Sequence, residues 1–256
     1  MWTRLAACPV GADARVWIER STAWLADEFG PGPLLREPVL PTAEQFPGPY
    51  AGTPDEIRRL VGTIRTVVGV HPEVITVEIE PDSGLDAMVA ELGLTSRSRY
   101  AAGHYRRRDG LAVIGIDQRM AARPTALIAT IAHELGHVRL LGEGRISRTR
   151  EDHEPLTDLF TVYFGLGVFA ANSAFTTSRN HRQQSWQRLG YLSERQFGYA
   201  LACYAWLRGE RKPSWARLLS TNPRAYLRHG LRYLQQHGPG PELAEVRAAL
   251  PEPDAG

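Results

Sequence analysis

Residues 133–137 read His-Glu-Leu-Gly-His. Histidines at i and i+4 share one face of a helix, with Cβ atoms about 5–6 Å apart. Imidazoles at that spacing bind one zinc ion from the same side. The glutamate between them lies near the metal without needing to ligate it, which leaves it to act as general base on a zinc-bound water. His133 and His137 are therefore the expected ligands, and Glu134 the expected catalytic base. Leu127, Ile128, Ile131, Leu135 and Val138 recur at helical spacing, which predicts a helix over 124–141 with the histidines off the centre of its apolar face. The bland alternative is an amphipathic helix carrying two incidental histidines.

A zinc site that acts on substrate takes three protein ligands and keeps one position open. The only cysteines, Cys8 and Cys203, are remote from the motif, so a carboxylate is sought. Glu154 and Asp158 stand at i and i+4 near the start of the next helix. A carboxylate one turn into that helix can fold back over the first, with Glu154 as ligand and Asp158 accepting the second ring N–H of a ligating histidine. Three other readings stay open. Asp158 could ligate with Glu154 in support, His153 could ligate, or both acids could be there for the helix dipole alone.

His-Glu-x-x-His followed by Glu-x-x-x-Asp on the next helix resembles the gluzincin branch of the zincin metallopeptidases, the thermolysin-like arrangement. The resemblance covers about residues 74–171. It implies His133, His137 and Glu154 as zinc ligands, Glu134 as base and Asp158 as their support. It also implies a small mixed sheet whose edge strand runs antiparallel to bound substrate, a part the segment 103–116 would supply. Pro155 inside the second motif and a short spacer depart from the large members of that family. The wording around Ala132–His137 and His153–Phe160 is also similar to bacterial proteins of undefined function, which implies no substrate.

The function expected is zinc-dependent hydrolysis of a peptide or amide bond. A zincin-like chain kept for binding or regulation is the alternative, against which the intact Glu134 argues. Charge developing on the substrate carbonyl needs a further donor. Tyr163, His181, Tyr191, Tyr199 and His229 are candidates, each of a type more often packed or solvated than catalytic.

The elements that must position these residues are readable in outline. A helix is expected over 11–29, and a proline-rich connection over 30–52. Thr53-Pro54-Asp55-Glu56 opens a helix that runs to Val68, by a capping box and a first-turn proline. Val74–Ile79 reads as a strand and 83–92 as a short helix. Asp109-Gly110 joins two strands as a hairpin. A buried helix is expected from about Asp152 to Ala171; its apolar run from Leu159 is too short to span a bilayer. Beyond it the chain reads as helical, with a capping box at Ser193-Glu194-Arg195-Gln196, helices opening at Pro213 and Pro223, and a stop at Gly238. The fold class expected is α+β, mostly helical with a small mixed sheet beside the His-Glu-x-x-His helix. The expected regions are 1–70, 71–175 around the metal, 176–238, and a frayed tail over 239–256.

A net charge of +2 argues against a nucleic-acid binder driven by bulk charge. Lys212 is the single lysine, which reads as codon bias. The short run Arg106–Arg108 reads as a solvated hairpin tip. Residues 5–8 match a lipoprotein-processing box with no room before it for a signal. Together these suggest a cytoplasmic protein with reduced thiols, a peptide or protein substrate, and no nucleic-acid or membrane partner.

Overall fold

The computed structural model describes residues 6–80, 103–180, 183–188 and 191–251. In chain order its helices are α1 (Ala12–Phe29), α2 (Gly32–Leu35), α3 (Pro54–Val68), α4 (Pro124–His137), α5 (His153–Tyr163), α6 (Gly167–Ser173), α7 (Glu194–Leu207), α8 (Thr221–His237) and α9 (Pro241–Ala249). The strands are β1 (Ile75–Glu80), β2 (Gly103–Arg108), β3 (Leu111–Asp117), β4 (Phe175–Asn180) and β5 (Gln183–Arg188). This is a mostly helical α+β chain with a small mixed sheet beside α4. The helix expected at 83–92 lies outside the described residues. The chain forms two compact units, one of residues 48–150 and one of 1–47 with 151–256.

In the unit 48–150, Thr53 and Glu56 form the expected capping box, and α3 ends on left-handed Gly69. Ile57, Val61, Ile64 and Val68 fall at helical spacing and are buried; α3 packs on α4. The sheet has the order β1-β3-β2, with β1 parallel and β2 antiparallel to β3. Asp109 and Gly110 both take positive φ, 51° and 84°, the mark of the hairpin turn that this dipeptide favours. Cross-strand partners share a face. The face of Ala112, Ile114 and Ile116 is buried and turned to α4. On the opposite face Glu78 pairs with both Arg106 and Arg108. Its hydrogen bond from Arg108 holds the Glu78 carboxyl below the usual range.

In the other unit, α1 packs with α5, α7 and α9, and α7 packs along α8. Two glycines let α7 and α8 approach closely. A Cβ at Gly198 would lie 2.3 Å from Tyr226 Cβ, and one at Gly230 would lie 2.6 Å from Ala202 Cβ. The helix expected over 152–171 is interrupted between Tyr163 and Gly167. Gly165 adopts φ 81°, and a Cβ there would come within 3.2 Å of Pro38 Cα and of the Tyr204 hydroxyl. The break turns the apolar run into two short buried helices. Strands β4 and β5, which pair antiparallel, fall where the sequence reading expects helix.

Within the tail expected to fray, Pro241–Ala249 form a docked helix, α9, and residues 252–256 lie outside the described residues. Glu19 on α1 is 2% exposed. It accepts hydrogen bonds from the Tyr199 hydroxyl, from the Gly240 N–H at 2.6 Å and from Arg15 at 3.3 Å. Arg20 pairs with Glu242 at 2.7 Å, and Leu243 is fully buried. A proline- and glutamate-rich composition hides these three anchors. Burial pushes the thiols of Cys8 and Cys203 up, so neither is a ready thiolate nucleophile.

Replacing Glu19 with Ala leaves a buried phenol and a guanidinium without their acceptor, at a cost of about 2–4 kcal/mol. Urea denaturation of Glu19→Ala against wild type measures it; an unchanged midpoint would remove this network from the account of how α9 docks.

Candidate metal centre

Helix α4 opens on Pro124 in its first turn, where a missing N–H costs nothing. Leu127, Ile131 and Leu135 lie at 0% exposure and fix the rotation of the helix against its unit. That rotation sets His133 half-buried, and Glu134 and His137 each at 6% exposure. The two imidazoles stand 4.7 Å apart between ring centroids and 89° to each other.

Beyond His137 the expected helix changes character. Val138–Gly142 form a wider π-type turn, with the Glu143 N–H donating to the Val138 carbonyl at 3.1 Å. Such turns are rare and cluster at functional sites. Arg139 donates to Gly69 O at 3.1 Å and to Glu143 at 2.6 Å, and Arg145 donates to Glu143 at 2.8 Å. The polar spacer thus has internal order.

Tyr105 of β2 packs against His137 with ring centroids 5.9 Å apart, and Arg148 lies 5.1 Å above the Tyr105 ring. The Tyr105 hydroxyl is buried without a hydrogen-bond partner among the described residues. It abuts Gly142, where a Cβ would stand 3.1 Å away. Close packing on α4 recurs at the start of β2. A Cβ on Gly103 would lie 2.6 Å from Thr130 Cγ2, 3.0 Å from Glu134 Cγ and 3.2 Å from Glu134 Oε1. Only a residue without a side chain lets the strand lie flush on the expected base.

Helix α5 begins at His153, with Pro155 inside its first turn as the sequence requires. Trp17 on α1 donates its indole N–H to Asp152 at 2.7 Å, just before the helix. This anchor joins residues 135 positions apart and leaves no local signal. One potential donor atom each from His133, His137 and Glu154 lie within 4.8 Å of one another. Asp158 and His153 are not members of this group; His153 Nδ1 lies 3.7 Å from Glu154 Oε1. Tetrahedral zinc at about 2.0–2.2 Å from each ligand sets donors about 3.4 Å apart. Two imidazoles and a carboxylate are chemically a zinc donor set.

Asp158, one turn on, is 3% exposed. Its Oδ2 accepts the backbone N–H groups of Tyr191 at 2.6 Å and Leu192 at 2.9 Å. These amides precede α7, whose Ser193–Gln196 capping box is present as expected. The sequence reading missed this link between the second motif and Tyr191. Of the other donors considered, Tyr163 gives its hydroxyl to Gly30 O at 2.6 Å and Tyr199 gives its to Glu19. Burial pushes both phenols well above their ordinary range. His229 is exposed on α8, and His181 lies outside the described residues. Comparison with family models, curated proteins and solved structures returns no match, so the zincin resemblance stands on the motifs alone. No helix among the described residues is long and apolar enough to cross a membrane.

The Gly103 contact is testable as a pair. Gly103→Ala should destabilise the fold by about 1–3 kcal/mol through overpacking. Adding Thr130→Ser removes the Cγ2 that the new methyl meets and should return part of the loss. A thermal-melt double-mutant cycle with no coupling between the two sites would refute the contact.

Proposed function

We propose that this chain is a zinc-dependent hydrolase, most simply a metallopeptidase acting on a peptide or amide bond. The observation that carries the reading is the convergence of His133, His137 and Glu154 donor atoms within 4.8 Å, with Glu134 buried beside His133 on the same helix. Zinc held by those three residues would lower the pKa of a coordinated water to about 7 and polarise the scissile carbonyl. Glu134 supplies the carboxylate that takes a proton from the attacking water and returns it to the leaving amine. Gly103 lies against the Glu134 side chain, where a Cβ would come within 3.0 Å of Glu134 Cγ. Asp158 acts at one remove by fixing the backbone of Tyr191 and Leu192. Tyr191, 52% exposed, is the donor this reading takes for the developing oxyanion. Its main-chain N–H is held by Asp158, one turn along α5 from Glu154.

Wild-type protein should hold about one zinc by elemental analysis. His133→Ala and Glu154→Ala should lose it, and Asp158→Ala should keep it. Glu134→Gln should keep zinc while hydrolysis of a mixed peptide library falls by about 10²–10⁴-fold. Zinc-loaded wild type that leaves every peptide intact would move the chain to the binding class; zinc retained in Glu154→Ala and lost in Asp158→Ala would exchange those two roles.

A further inference from the structure

From Arg211 to Gly240 the chain contains no Asp or Glu, while it contains Arg211, Lys212, Arg217, Arg224, Arg228 and Arg232. The stretch carries six formal positive charges in a chain whose net charge is +2, so the remaining residues are net acidic at −4. The average charge conceals a segregated one. Arg211, Lys212, Arg217, Arg228 and Arg232 are exposed and Arg224 is half-exposed. Among the described residues none of the six is engaged by an acidic side chain. The nearby acids are occupied elsewhere. Glu210 pairs with Arg208 and accepts from Trp215, Glu194 accepts from the Asn222 amide at 3.1 Å, and Glu242 pairs with Arg20.

Arg224, Arg228 and Arg232 repeat every four residues on α8. At 1.5 Å rise per residue they form a row on one helix face with steps of about 6 Å. The adjoining face of the helix is committed to packing, where Leu227, Gly230, Leu231 and Leu234 are buried. A membrane-surface helix needs a free apolar face beside its cations, and α8 has none to give. A protein partner is normally gripped by aromatic or aliphatic anchors at the centre of its footprint. The exposed large hydrophobic side chains among the described residues, Leu35, Tyr50, Val74, Leu111 and Tyr191, all lie off α8. What remains is a cationic row with no apolar component. Its chemistry matches a regular line of phosphates, which guanidinium groups bind without reading the bases.

We propose that the exposed face of α8 binds the phosphodiester backbone of duplex nucleic acid, independently of base sequence and of the metal centre. The probe is a fluorescein-labelled mixed-sequence DNA duplex of about 20 base pairs, titrated with the full-length chain by anisotropy at several NaCl concentrations from about 50 mM upward. Wild type should bind, with log K falling linearly against log salt. The triple variant Arg224→Ala, Arg228→Ala, Arg232→Ala, at helix positions where alanine preserves the helix, should bind at least about tenfold more weakly. Its salt slope should be lower by about 3, from three lost phosphate contacts. The triple Arg→Lys variant should stay within about threefold of wild type, which separates lost charge from lost fold. No duplex binding at about 50 mM salt overturns the proposal. So does an alanine triple that binds as wild type, or wild type that binds phosphatidylserine vesicles or polyglutamate as tightly as DNA.

Discussion

Holding a carboxylate in the wall of an otherwise apolar helix is the constraint that organises this molecule. Charge removed from water is costly unless its surroundings are arranged for it. Helix α4 carries Glu134 at 6% exposure among Leu127, Ile131 and Leu135, which are fully buried. The arrangement around it is specific. β2 brings a glycine rather than a side chain to that spot, the sheet turns its Ala112-Ile114-Ile116 face the same way, and two imidazoles flank the acid at one residue before and three after. Moving α4 by a fraction of a turn would expose the apolar side chains and displace Glu134 and the two histidines together. The packing of α4 therefore fixes where all three stand.

What was legible in the sequence was local. Both capping boxes, the Asp109-Gly110 hairpin, the first-turn proline of α5 and the i, i+4 histidines are each written within a few residues, and each sets backbone geometry or side-chain direction by short-range physics. The grouping of Glu154 with the two histidines was legible for the same reason: two short motifs, each on its own helix. What was not legible depends on distant partners. Trp17 reaches Asp152, Arg208 donates to Leu34 O at 2.6 Å, and Glu19 collects Tyr199 and Gly240. A carboxylate in the middle of α1 reads as a solvated position until those partners are known. The break at Gly165 escaped because an apolar run with two glycines, Gly165 and Gly167, can still fit a continuous helix; the approach of Pro38, far back in the chain, decides against it.

The polar groups divide by use. Glu19 is buried and commits its oxygens to tying α1 to α7 and to the start of α9. Glu78 is at the surface and balances two arginines on the sheet. The arginines of α8 balance no acid among the described residues. Charge that a fold leaves uncompensated along one helix raises its own electrostatic energy, so its grouping is a property to be explained, whereas scattered surface ions need no explanation.

Helix α5 carries Glu154 and Asp158 one turn apart, and a helical turn is stiff. Glu154 and the carboxylate that holds the Tyr191 and Leu192 amides therefore move as one body. Those two amides are in effect a gauge fixed to the far end of a short lever. Their exchange with solvent deuterium reads the integrity of the first turns of α5 from outside, without any substrate in hand.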